Sequence, residues 1–124
     1  MQQTSQDPVQ LFGLRIAHVG INAKDDAEAA AIAEAFSRLM GLPQAETPVS
    51  VFSGTLVETM RGCGRGERGH IGFHVDDIPA AEAWFSARGF AIDEESRALL
   101  PDGTTRLVYF AEPIAGFAIH LTQD

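Results

Sequence analysis

His18-Val-Gly-Ile-Asn-Ala-Lys-Asp25 and His70-Ile-Gly-Phe-His-Val-Asp-Asp77 are two versions of one phrase, set 52 residues apart. Each opens on a histidine, places a glycine two residues later, alternates apolar residues and ends on an aspartate that leads into a helical pattern. Self-similarity at a fixed spacing marks a duplicated supersecondary unit. The matched histidines, His18 and His70, are also where two such units could converge on one ligand.

Around the first phrase, Leu14 to Ala23 alternates in period two. Ile16, His18, Gly20 and Asn22 share one face, and Ala17, Val19, Ile21 and Ala23 share the other. This is the pattern of a strand with one apolar face. Asp25 with Glu28 reads as a capping box opening a helix, whose apolar stripe is Ala29, Ile32, Phe36, Leu39 and Met40. Gly41 and Pro43 end it. Strand candidates follow at 49–52 and 55–60. The second phrase repeats the order: a strand over 69–75, a helix capped by Asp77 with Pro79 in its first turn, and strand candidates at 90–93, 96–100, 105–111 and 117–122. The expected fold class is α+β, with two βαβββ modules. Residues 1–13 read as a flexible tail. Residues 14–124 read as one domain, with module 14–60, connector 61–68 and module 69–124.

Modules of roughly 55 residues are too small to be stable alone and should share a sheet or a core. A formal net charge of -8 argues against nucleic-acid and anionic-membrane partners. No run of about 18 apolar residues suggests a spanning helix. Met1 to Gln10 has neither the basic nor the apolar part of a secretory signal. The single cysteine, Cys63, reads as a bystander thiol and excludes an internal disulfide, which fits a cytoplasmic location. A small-molecule substrate and a second copy of the chain, in a homodimer, are the expected partners.

The chemistry-bearing residues sort by strand. His18 and His70 open the first strands of the two modules, and Glu58 and His120 lie in their last strands. Imidazole nitrogen and carboxylate oxygen suit divalent iron, manganese, cobalt, nickel or zinc. One histidine on a strand is more often a surface or hydrogen-bonded residue than a ligand. Here the repeat aligns His18 with His70 and Glu58 with His120, and that favours a shared metal site. His120 opposes the apolar face of Phe117, Ile119 and Leu121, as His70 opposes Ile71 and Phe73. His74, whose counterpart is Asn22, reads as a pocket-lining residue.

Gly64-Arg-Gly-Glu-Arg-Gly69 has the spacing of a dinucleotide fingerprint but precedes a strand instead of opening a helix, and is rejected as one. Its arginines, with Arg61, form a basic cluster in an acidic chain. Arg61, Arg65 and Arg68 could clamp a substrate carboxylate or phosphate; a solvated linker is the plainer reading.

His18-Val-Gly-Ile with Asp25, Gly69-His-Ile-Gly-Phe with Asp77, and Gly116-Phe-Ala-Ile-His-Leu121 resemble the vicinal oxygen chelate superfamily over residues 14–123. That group includes glyoxalase I, extradiol dioxygenases, methylmalonyl-CoA epimerase and fosfomycin- and bleomycin-resistance proteins. The stretch 64–72 with the 116–121 ending also resembles a module appended to some bacterial 2-dehydro-3-deoxyphosphogluconate aldolases. The resemblance implies that the paired βαβββ modules form a curved mixed sheet around a metal-binding cleft, half enclosing a metal held by His18, Glu58, His70 and His120. It implies Lewis-acid catalysis on vicinal oxygens of substrate. Glyoxalase I and the epimerase carry glutamate where this chain has His120. Proton transfer would then fall to Glu58 or His74 as catalytic base, and glyoxalase I activity itself is not expected. The leading expectation is a metal-dependent glyoxalase-like enzyme of lyase, isomerase or oxygenase type. Its substrate would be a small, oxygen-rich, anionic metabolite such as a keto acid or sugar-acid derivative. The alternatives are a metal-free, bleomycin-resistance-like sequestering protein and an accessory domain of sugar-acid metabolism.

Overall fold

The computed structural model describes residues 7–124. Eleven elements follow in order: α1 (Pro8–Phe12), β1 (Arg15–Ala23), α2 (Asp26–Met40), β2 (Gln44–Glu46), β3 (Ser50–Ser53), β4 (Val57–Arg61), β5 (Gly69–His74), α3 (Ile78–Ser86), β6 (Ile92–Leu99), β7 (Thr105–Phe110) and β8 (Phe117–Thr122). The strands form one eight-stranded mixed sheet in the order β2-β3-β4-β1-β5-β8-β7-β6. The two halves of that order are reversed copies of each other, joined where β1 runs antiparallel to β5. Within each half the first strand is parallel to the last, β1 to β4 and β5 to β8. The duplicated phrases are therefore the two central strands, and both modules come from one chain.

Local chemistry starts the helices where the sequence places them. Asp25 caps α2 by accepting from the Glu28 amide at 2.8 Å, while Glu28 reaches back to the Lys24 amide at 2.9 Å. Asp77 caps α3 through the Ala80 amide at 3.0 Å. One face of the sheet packs against the helices. Ala29 and Ala33 of α2 are buried with Val51 and Val57. On the second half, Ile78 and Ala81 of α3 meet Val75, Val108 and Leu121, with Phe12 completing the cluster. Each fully buried Leu or Ile there is worth about 1.5–3 kcal/mol. The other face carries His18, His70 and His120, as the alternation requires.

Four expectations are corrected. Residues 1–6 of the supposed tail lie outside the described residues, but 8–12 form a helix rather than a frayed end. Asp7 caps it with Pro8 in its first turn, and Phe12 buries itself in the core. The α2 stripe ends early: Leu39 is 76% exposed, and Ala33 and Ser37 continue the packed face instead, Ser37 meeting Ser53 at 3.2 Å. The strands expected at 90–93 and 96–100 are one irregular strand, β6. Ser96 donates to the Asp93 carbonyl and accepts from the Tyr109 amide, patching the ladder where its register shifts. Arg61, assigned to the connector, is the last residue of β4.

Candidate metal centre

The site is built on the four central strands. Across β1 and β5, Gly20 pairs with His70 and His18 with Gly72; across β5 and β8, Gly72 pairs with His120; across β1 and β4, Gly20 pairs with Glu58. The same-face neighbours of one glycine are thus ligand candidates from adjoining strands. Any Cβ on Gly20 would collide with the His70 ring, and one on Gly72 would stand 2.6 Å from the His120 ring and 2.8 Å from that of His18. The glycines of the repeated phrase are the sockets in which the imidazoles lie.

Three imidazoles converge. His18 Nε2 lies 3.2 Å from His70 Nε2 and 3.3 Å from His120 Nε2. Glu58 Oε1 is 3.1 Å from His70 Nε2 and 3.7 Å from His18 Nε2. Ser50 donates to Glu58 Oε2 at 2.7 Å, which turns Oε1 toward the histidines. The three histidines could hold a metal ion, since their ligand nitrogens all fall within 4.8 Å of one another. Two nitrogens bound to one ion at about 2.1 Å stand roughly 3.0–3.4 Å apart for octahedral or tetrahedral angles. The observed spacings lie in that range. A ring nitrogen has either one lone pair or one N–H, so hydrogen bonding alone cannot satisfy His18 Nε2 toward three polar neighbours. A central cation can.

The electrostatics favour neutral donors. Burial, then the neighbouring His18 and His70, pushes His120 down to about 3. Burial and His70 likewise lower His18. Burial alone would raise Glu58, but hydrogen bonds from His70 and Ser50, with the charge of the histidines, carry it below the usual carboxylate range. Near pH 7 His18 and His120 are neutral imidazoles beside the ionised Glu58 carboxylate, the forms that bind metal. His120 Nδ1 faces the Leu121 carbonyl at 3.4 Å, which places its proton there and leaves the Nε2 lone pair for the cluster. His70 Nδ1 is buried without a hydrogen-bond partner, so Nε2 is the polar contact of that ring.

No family model matches the chain, and no curated protein matches its sequence. Solved structures do match it. The crystal structure of selenomethionyl methylmalonyl-CoA epimerase aligns with a TM-score of 0.55 at 21% identity, over 86% of this chain and 92% of that one. A hypothetical protein, BH1468 from Bacillus halodurans C-125, aligns with a TM-score of 0.57 at 13% identity, over 88% of this chain and 93% of that one. The chain shares its fold with these structures.

Within that fold the other expected residues divide. His74 does not join the cluster: its Nδ1 faces the Asp124 carbonyl at 2.9 Å and its Nε2 faces Asp76 Oδ1 at 2.8 Å. With both nitrogens engaged it ties the end of β5 to the chain terminus, and a role as catalytic base finds no support in this geometry. The arginines also separate. Arg61 pairs with exposed Glu46 at 2.7 Å. Arg68 lies beside Gly116, to whose carbonyl it donates its amide at 2.8 Å. Arg65 alone meets the ring system of the site. Its guanidinium stands 4.5 Å over the Tyr109 ring, and that ring lies 4.7 Å from His120. Arg65 is also anchored to Asp93 at 3.1 Å.

Tyr109, Ser50 and Phe52 escaped the sequence reading, and Asn22 entered it only on the His18 face and as the counterpart of His74. Burial and the Glu58 charge push the Tyr109 hydroxyl up to about 12, so it is a protonated donor. Phe52 sits edge-on to His18 at 5.8 Å between centroids. Asn22 donates to the Gly66 carbonyl at 2.8 Å and pins the connector to β1. Alternation places Asn22 and Tyr109 on the site face. Their partners required knowing which strands adjoin.

Proposed function

We propose that this protein is a metal-dependent enzyme of the vicinal oxygen chelate superfamily. Its substrate would be a small anionic metabolite carrying adjacent oxygens. The convergence of the His18, His70 and His120 Nε2 atoms carries this reading. The three imidazoles would hold the ion and Glu58 Oε1 would complete the set. Divalent iron, manganese, cobalt, nickel or zinc all suit these donors. Bound there, the ion would stabilise negative charge on vicinal oxygens of the substrate.

The chain's own residues do the rest. Ser50 holds Glu58 by one oxygen, so the other can serve as ligand or accept a substrate proton. Arg65, fixed by Asp93 and Tyr109, offers its remaining N–H groups to a substrate carboxylate. The match to methylmalonyl-CoA epimerase supports the fold part of this reading and leaves the reaction open among lyase, isomerase and oxygenase types.

The test is metal analysis of protein purified without chelator, followed by calorimetric titration of the stripped protein with manganese, iron and zinc. One equivalent of divalent metal is expected in the purified protein, and His70→Ala with His120→Ala should lower affinity by more than about 100-fold. Absence of metal binding in the wild type sinks the proposal. Ligand capture without metal and without turnover would instead favour the metal-free sequestering role.

A further inference from the structure

A cleft of about 640 Å³ opens beside His18. Its wall is formed by Ile16, Ala45, Phe52 and Leu56, with Arg15 at its edge. Ile16 and Leu56 are 58% and 50% exposed, large apolar side chains held in water next to a candidate ligand. Phe52 joins this wall to the metal centre through its edge-on contact with His18.

The polar inventory of the cleft is short. Thr55 supplies the one side-chain hydroxyl of the lining. Asp124, also in the lining, is matched by Arg106 at 3.5 Å. Arg15 has no ion pair among the described residues. A polyhydroxylated chain laid here would trade water for apolar wall and leave its hydroxyls unpaired. An aliphatic or aromatic chain would cover Ile16, Leu56 and Phe52 and release the water over them.

We infer that the substrate joins a chelating acid end, placed at the histidines, to an apolar body lying on Ile16, Phe52 and Leu56. This narrows the function proposed above and rests on it. It selects an aliphatic or aromatic 2-oxo or 2-hydroxy acid over a sugar acid. Arg15 at the cleft edge would suit a second anionic group at the far end of that body.

The full 124-residue chain, loaded with manganese, can be titrated calorimetrically with four 2-oxo acids that share a chelating end. They are pyruvate, 4-methyl-2-oxopentanoate, phenylpyruvate and 2-oxogluconate. The branched and aromatic acids are expected to bind at least about tenfold tighter than pyruvate, and 2-oxogluconate no tighter. Leu56→Ser and Ile16→Ser, both at exposed positions that tolerate change, should remove most of that gain while leaving pyruvate binding intact. Equal affinities across the series on manganese-loaded protein, or a preference for 2-oxogluconate, overturn the inference and leave the metal reading standing. Equal affinities for the metal-loaded and the chelator-stripped protein would show that the acid end makes no contact with the ion, and overturn the inference. Failure of all four to bind the manganese-loaded protein likewise overturns the inference and leaves the metal reading standing.

Discussion

Gly20 and His70 are partners across the β1–β5 pair, and the imidazole of His70 fills the space where a side chain at position 20 would stand. Gly72 stands in the same relation to His120. The histidine-x-glycine phrase within both central strands thus supplies a ligand candidate and a place for the opposing ring. Its duplication is what allows imidazoles from β1, β5 and β8 to crowd together in the middle of the sheet.

Substituting those glycines should therefore strike the site. Gly72→Ala puts a methyl group within contact of both the His120 and His18 rings. Metal affinity should fall by about 10- to 100-fold, as when groups that orient ligands are lost. Titration calorimetry on the folded variant gives the number. Unchanged affinity would show that the rings can move aside freely.

Acid should destabilise the metal-free protein before its carboxylates titrate. In the unfolded chain His120 gains a proton near its ordinary value of about 6.5, whereas in the folded state it holds off until about 3. Between those values the unfolded state binds more protons, so stability falls as pH falls. The slope is about 1.4 kcal/mol per pH unit for His120 alone, and the lowered His18 adds to it. Glu58 acts in the same direction at lower pH, because a carboxylate held below its usual range loses its contribution as it protonates. Urea unfolding of chelated protein at pH 7, 6, 5 and 4 measures this, and a flat profile from 6 to 4 would contradict it.

Arg65→Gln should separate substrate binding from metal binding. Arg65 touches Asp93 and Tyr109 and none of the histidines. Affinity for a carboxylate ligand should drop by about tenfold, the scale of one lost charge-assisted contact, with metal affinity unchanged. Loss of both together would make Arg65 structural.

Away from the site, Arg97 is the strongest polar tie between α3 and β6. It donates to both oxygens of Glu82 at 2.7 and 2.8 Å, to Thr105 at 2.7 Å and to Glu94 at 2.6 Å. Arg97→Met leaves the half-buried Glu82 without its partner and should cost about 1–3 kcal/mol. Thermal unfolding would register this as a lower Tm with the metal stoichiometry intact.

Much of the architecture is written locally. Alternation in 14–23, 69–75 and 117–122 sets which side chains leave the core, and it places His18, His70 and His120 correctly on the face opposite Leu121 and Val75. The capping aspartates, Asp25 and Asp77, start both helices as read. Local patterns failed where a distant partner decided the outcome. The apolar stripe of α2 predicts burial for Leu39, but the helix turns Ala29, Ala33 and Ser37 to the sheet instead. The break at Asp93 looks like a loop until Ser96 is seen to bridge it to β7.

By itself, the chain determined its duplicated plan, the starts of α2 and α3 and the parity of His18, His70 and His120, because backbone periodicity and capping act over a few residues. Only the tertiary structure decided which of these residues meet. The β1–β5 register brings His18 and His70 together within one chain. Asp76 and the Asp124 carbonyl claim His74. Of the three arginines, Arg65 alone is held at the aromatic edge of the site. Those outcomes depend on pairing between segments far apart in sequence, where a shift of one residue would turn each side chain to the opposite face.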